Sequence, residues 1–205
     1  MWFEDANTEY FKLLEQFKDK IIIELAGHDH FSSLRAHESE EGGQFHNLFV
    51  APSITPWYYN NPGVTSLEIS EDLLPQNLHS TFLNLKPTID QEFPLPQDEL
   101  EFRKLDYAER YGIEKMTAEE IFALVERLLE DEDLHQDYLI RKMGLDPSIP
   151  SEVITARDIL LRKKIILETE DGGYTLWPQV CLMTKNMTKE EYVDCLGLDP
   201  TSILQ

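Results

Sequence analysis

Apolar and polar positions change period several times along this chain. In "NTEYFKLLEQFKDK" the residues Tyr10, Phe11, Leu14 and Phe17 recur at helical spacing, with Asn7 or Thr8 placed to cap. The run that follows, "IIIELAG", is continuous and β-branched, as in a strand buried on both faces. Helix, short connection and buried strand together predict a piece of α/β architecture. "FSSLRAHESEEGGQ" then reads as polar loop, broken at Gly42-Gly43, before "FHNLFVAPSITP" resumes as strand. "VTSLEIS" sets Val64, Ser66 and Glu68 against Thr65, Leu67 and Ile69, the alternation of a half-exposed strand. In "NPGV" between them, Pro62 and Gly63 suit a type II turn with positive φ at the glycine.

The pattern changes near residue 75. From Glu71 to Glu99 prolines punctuate the text ("LLPQ", "LKPT", "FPLPQ"), which predicts a long irregular connection. Helical spacing returns in "DELEFRKLDYAERYG", stopped by Gly112. Thr117 and Glu120 form a capping box before "IFALVERLL". "EDLHQDYLIRKMG" ends at Gly144, "SEVITARDILLRKK" is a further helix, and Thr188 with Glu191 caps "KEEYVDCLG". The expected division is residues 1–75 as the α/β part, 76–99 as Pro-rich connection and 100–205 as a helical subdomain. The aromatic stripes belong to the core, since a helical face needs them to bury itself.

Composition narrows the class. At 205 residues, with 41% hydrophobic and 28% charged, the chain is long enough for one domain with an appendage. A formal charge of −21 argues against nucleic acid or an anionic membrane as partner, because both need cationic patches. No apolar run reaches a membrane span, and "MWFEDANTEY" resembles neither a signal nor a transit peptide. Cys181 and Cys195 are the two cysteines, too few for a thiolate zinc cluster. They form one bridge in an oxidising compartment or stay as buried thiols in a reducing one. Asn186-Met187-Thr188 is a glycosylation sequon, unless Thr188 serves only as a helix cap.

Candidate chemistry centres on "GHDH", where His28 and His30 stand one residue apart just past the predicted buried strand. Such spacing aims two imidazoles into one cleft, and paired neutral imidazoles suit Zn, Fe or Mn. The order strand, Gly27-His28-Asp29-His30, loop and "FVAPSITPWYYNNPGVTSLEI" resembles the calcineurin-like metallophosphoesterase superfamily, in its acid sphingomyelinase-like phosphodiesterase branch. Gly-His-x-His matches that superfamily's last metal-binding motif, and "APSITP" and "NPG" match the strands after it. "EFRKLDYAERYG" and "VCLMTKNMTKEEYVDCL" are similar to the branch's C-terminal extension. The resemblance covers residues 8–197 and the C-terminal portion of the family alone.

That resemblance implies the last part of a metallophosphoesterase β-sandwich domain followed by a mainly α-helical appendage. It implies a phosphoric ester hydrolase that works with two divalent metals, Zn or Mn, with His28 on one and His30 on the other. Asp29 sits at the variable position and the resemblance assigns it no role. The family's Asp-x-His, bridging Asp, Asn-His and further His motifs have no match here, so this chain alone is expected to be an incomplete catalyst. His37, His46, His79 and His135 stand in no matching motif and are expected to be structural or solvated, with His46 half-exposed ahead of a strand. The alternative is a noncatalytic structural or interaction subunit built on a degenerate form of the fold. Both readings predict another protein chain or a large assembly as partner, since half a sheet leaves an open edge and an uncovered apolar face at "IIIELAG". The family resemblance suggests a lumenal or secreted setting.

Overall fold

The computed structural model describes residues 4–38, 44–85 and 100–153. Helix α1 (Glu4–Gln16) comes first, and Leu14 is its buried anchor. Three strands follow: β1 (Glu24–Ala26), β2 (Ser33–Glu38) and β3 (Gln44–Val50). They form one sheet in the order β1-β3-β2, with β1 parallel and β2 antiparallel to the central β3. A second, antiparallel sheet is built from β4 (Gly63–Ile69), β5 (Pro75–Leu83) and β6 (Phe102–Asp106), with β5 in the middle. Helices α2 (Tyr107–Tyr111), α3 (Ala118–Glu130) and α4 (Glu132–Arg141) follow, and residues 150–153 are again helical. The content is mixed α/β, in small sheets and few helices.

Strand alternation gives the first sheet two buried faces. Leu34, Ala36 and Phe49 point into the main core, which they share with Leu78, Phe82 and Leu105 of the second sheet. Ile121, Leu124, Val125 and Leu128 of α3 fill the same core at spacings of three and four, as an amphipathic helix should. The opposite face carries Glu24, His37 and His46 and meets α1 through Tyr10 and Phe11. Thr117 caps α3 by accepting from the Glu120 N–H, and Gly112 ends α2 in the left-handed conformation at φ 60°. Asp131 ends α3 and begins α4, its carboxylate accepting from the Leu134 N–H.

Several expectations change. "IIIELAG" yields a strand of three residues, Glu24–Ala26, which among the described residues pairs with β3 alone, and Ile22 is exposed rather than buried. Ser33–Glu38, expected as loop, is a strand in which Ser33 and His37 are buried and which pairs with β3. Residues 75–83, expected within the irregular connection, form the central strand of the second sheet, and Phe102–Asp106, expected as helix, is its edge strand. Gly63 does not supply a positive φ; it opens β4, and a Cβ there would lie 2.5 Å from the Phe82 ring. Glycine stands there for close approach. Most of the helix over "SEVITARDILLRKK", both cysteines, the sequon and the Thr188 cap lie outside the described residues.

Candidate functional site

Histidines gather at both ends of β1. Beyond its C-terminal end, His28 and His30 occupy residues 27–32 in the left-handed region, at φ 84° and 67°. Side-chain-bearing residues rarely adopt that conformation, and where they do the surrounding contacts must hold it. Here the Ser53 N–H donates to the His30 carbonyl at 3.2 Å, and the Ser32 N–H donates to the Lys142 carbonyl at 2.9 Å. Tyr58 sets its ring against His30, centroids 5.2 Å apart. Asn61 ties the same region to the helical part, its side-chain amide donating to the Gly144 carbonyl at 2.8 Å. The stretches "GHDH", "APSITP" and "NNPG", apart in sequence, therefore converge.

His28 is exposed and His30 half-buried, with the His30 Nδ1 buried and, among the described residues, lacking a hydrogen-bond partner. An orphaned ring nitrogen of that kind fits a metal ligand. Asp29 forms an ion pair with Arg35, 2.5 Å from its guanidinium. Among the described residues no third His, Cys, Asp or Glu completes a ligand cluster with this pair. Two imidazoles fall short of the three protein ligands a catalytic zinc normally takes.

At the other end of β1 stands a group that sequence reasoning missed. Register places His37 of β2 directly opposite His46 of β3, so both side chains leave the same face. Their rings stack 5.5 Å apart and within 9° of parallel. Glu24 pairs with Leu48, two residues along β3, and so projects from that face too. Its Oε2 lies 3.1 Å from the His46 Nε2, and its Oε1 accepts a hydrogen bond from the Tyr10 hydroxyl. One ligand atom from each of Glu24, His37 and His46 lies within 4.8 Å of the other two.

Burial sets the electrostatics of this group. His37 is 3% exposed, and burial, aided by the neighbouring His46, pushes its imidazole down to about 4. Burial works to raise the Glu24 carboxyl, yet hydrogen bonds from His46 and Tyr10 outweigh it and hold the group below the usual carboxylate range. Burial, and then the hydrogen bond to Glu24, raises the Tyr10 phenol, which stays a donor. At neutral pH the cluster thus offers a neutral imidazole at His37 and an ionised carboxylate, both in their metal-binding forms. His46, expected half-exposed, is buried inside β3. His135, expected among acids on a helix, is fully buried. His79 is half-exposed between Glu68 and Asp106, at 3.3 Å from each. No local signal pairs these histidines: a two-residue turn at Gly42-Gly43 would set His37 opposite Leu48, and the observed register of β2 on β3 sets it opposite His46 instead.

With an α/β chain of this topology in view, comparison with known proteins adds a direction. No family model matches the chain. It is 27% identical over 150 residues to acid sphingomyelinase-like phosphodiesterase 3b of Mus musculus, covering 68% of this chain and 32% of that protein. The Homo sapiens protein of the same name is 25% identical over 199 residues, covering 89% and 43%. The human cyclic GMP-AMP phosphodiesterase is 25% identical over 138 residues, covering 60% and 28%. The chain thus spans less than half the length of these curated relatives.

Proposed function

We propose that this chain is the C-terminal part of an acid sphingomyelinase-like phosphoesterase, in which His28 and His30 contribute to the metal centre. The observation that carries the reading is the convergence of the three stretches bearing the resemblance, with the His30 carbonyl bonded to Ser53 and its ring against Tyr58. Divalent metals held there would polarise a phosphoryl oxygen and lower the pKa of a water. The chain's own contribution is positional: residues 27–32 are fixed at both ends, so the two imidazoles are presented without reorganisation. Ile54, Trp57 and Tyr59 are exposed on the adjoining segment and offer apolar contact to a bound ester. The remaining ligands come from elsewhere in the domain. No helix among the described residues is long and apolar enough to cross a membrane, and a lumenal or secreted setting is part of this reading.

The same reading supplies a partner. Among the described residues β1 pairs with β3 alone, and Leu25 on it is 61% exposed, with Leu13, Phe17 and Ile22 also exposed. The occupant we assign to this surface is the remainder of the same domain, whose strands would continue the sheet beyond β1. A noncatalytic subunit of a larger assembly is the alternative, favoured by the lack, among the described residues, of a third ligand beside His28 and His30.

Mapping the transcript's 5′ end and reading the frame ahead of Met1 separates the two. Asp-x-His and Asn-His motifs in that frame support the phosphoesterase, and an upstream frame without them supports the subunit. The chain alone, supplied with Zn or Mn, is expected to hydrolyse neither a generic phosphodiester nor a phosphomonoester above background. Metal-dependent turnover abolished by His30→Ala would overturn the incompleteness of the chain as a catalyst.

A further inference from the structure

We propose that Glu24, His37 and His46 bind one zinc-class divalent ion, at a site separate from His28 and His30. The site stands on its own geometry and does not depend on the phosphoesterase reading. His37 carries the argument: its side chain is buried, and among the described residues neither ring nitrogen has a hydrogen-bond partner. A buried polar group left without partners is costly, and native interiors rarely keep one unless something completes it. Apolar surroundings alone would favour a phenylalanine or leucine at this place, yet the imidazole stacks on a second imidazole and faces a carboxylate.

Donor chemistry selects the ion. Two imidazole nitrogens and one carboxylate oxygen suit zinc and its neighbours and are a poor set for magnesium or calcium, which prefer all-oxygen shells. Tetrahedral zinc with bonds of about 2.0–2.1 Å sets its donors roughly 3.3 Å apart. The Glu24–His46 pair already stands at 3.1 Å, and the widest separation in the group is no more than 4.8 Å. A small inward shift of the His37 ring closes the set, and water takes the fourth position. Tyr10, bonded to the other carboxylate oxygen, orients Glu24 from α1. The ion joins all three strands of the first sheet, and through Tyr10 it fastens α1 over them.

The test uses the full chain stripped with a chelator and titrated with Zn2+ or Co2+. About one equivalent of Zn2+ is expected to bind, and Co2+ to give visible d–d bands. Tm should rise by roughly 5 °C or more at a hundredfold excess over Kd. Mg2+ at the same concentration should do neither. Glu24→Gln and His37→Gln should each weaken Zn2+ binding at least tenfold, whereas the double variant His28→Ala, His30→Ala should bind as the parent does. Glu24→Gln keeps an acceptor for Tyr10 on a half-exposed side chain, so it remains decisive if His37→Gln fails to fold. Absence of saturable Zn2+ binding overturns the proposal. So does binding that survives Glu24→Gln unchanged, or that disappears in the His28, His30 double variant.

Discussion

Around β5 and helices α2–α4 side chains close on one another from every direction; around α1 and β1 they stop short. In the first region the Phe82 ring is held between Gly63 and Gly144, and Tyr107, Tyr111 and Tyr138 form a fully buried row with ring centroids 5.8 and 5.4 Å apart. Arg103 grips Glu152 with two hydrogen bonds, at 2.6 and 3.1 Å. In the second, a three-residue strand has one described neighbour, and apolar side chains on α1 and β1 face solvent. Both histidine groups flank that second region. Candidate chemistry therefore sits where the fold is least closed, and the closed region supplies the rigid backing. The comparison predicts large penalties for substitutions near Phe82 and small ones near Leu25.

The largest effect belongs to Gly144→Ala. A Cβ at Gly144 would lie 2.3 Å from the Phe82 Cδ1 and 2.9 Å from its Cβ, so swinging the ring gives no relief. The φ of 71° adds strain for any residue with a side chain. Overpacking and backbone strain together should destabilise by about 3 kcal/mol or more, lowering Tm by roughly 10 °C. A thermal melt within 2 °C of the parent would show that this region yields more than its geometry suggests.

Legibility in the sequence follows the same division. The α3 helix was plain because its capping box and its apolar spacing are local signals within one element. Gly112 and Gly144 marked chain reversals for the same reason. Strand β2 was hidden because Arg35 and His37 look like surface residues until β3 pairs with them. Prolines hid β5, although Pro75 stands at its first residue, where a missing N–H is tolerated. The split of "EFRKLDYAERYG" into β6 and α2 rests on Asp106, which caps the helix just where pairing with β5 ends. In the candidate site, His28 and His30 were readable because their spacing is short. Glu24, His37 and His46 are brought together by register, which no local pattern prints.

A middle-sized effect separates the two regions by pH. His135 in α4 is fully buried, its Nδ1–H directed to the Leu128 carbonyl at 3.2 Å and its Nε2 without a partner among the described residues. Burial, with Lys142 nearby, depresses its pKa to about 4, against only partial relief from the Leu128 bond. In the unfolded chain the same imidazole takes a proton near 6.5. Between those values the unfolded state binds more protons, so stability is full above pH 6.5 and falls as pH drops towards 4. The loss should be on the order of 2 kcal/mol. His37 loses stability in the same window, so the informative quantity is the difference between the parent and His135→Leu in urea melts at pH 7 and 4.5. Equal losses in the two proteins would remove His135 from the account.

The smallest effect on stability should carry the largest effect on association. Leu25 leaves β1 with most of its surface in water, so Leu25→Lys removes little buried area and should change the stability of the isolated chain by no more than about 0.5 kcal/mol. A strand with one open edge and exposed apolar side chains is a template for another chain, and a lysine on such an edge is a common means of blocking it. The formal charge of −21 opposes nonspecific clustering but does nothing to satisfy open backbone groups. The parent is therefore expected to associate at micromolar concentration, and Leu25→Lys to scatter light as a monomer with an unchanged melt. Hydrogen exchange sharpens the reading: amides of residues 21–25 should exchange fast in the variant and slowly in the associated parent, while those of α3 stay protected in both. A monomeric parent with slow exchange through residues 21–25 would mean that α1 and β1 close this side by themselves, and the contrast between the two regions would fall with it.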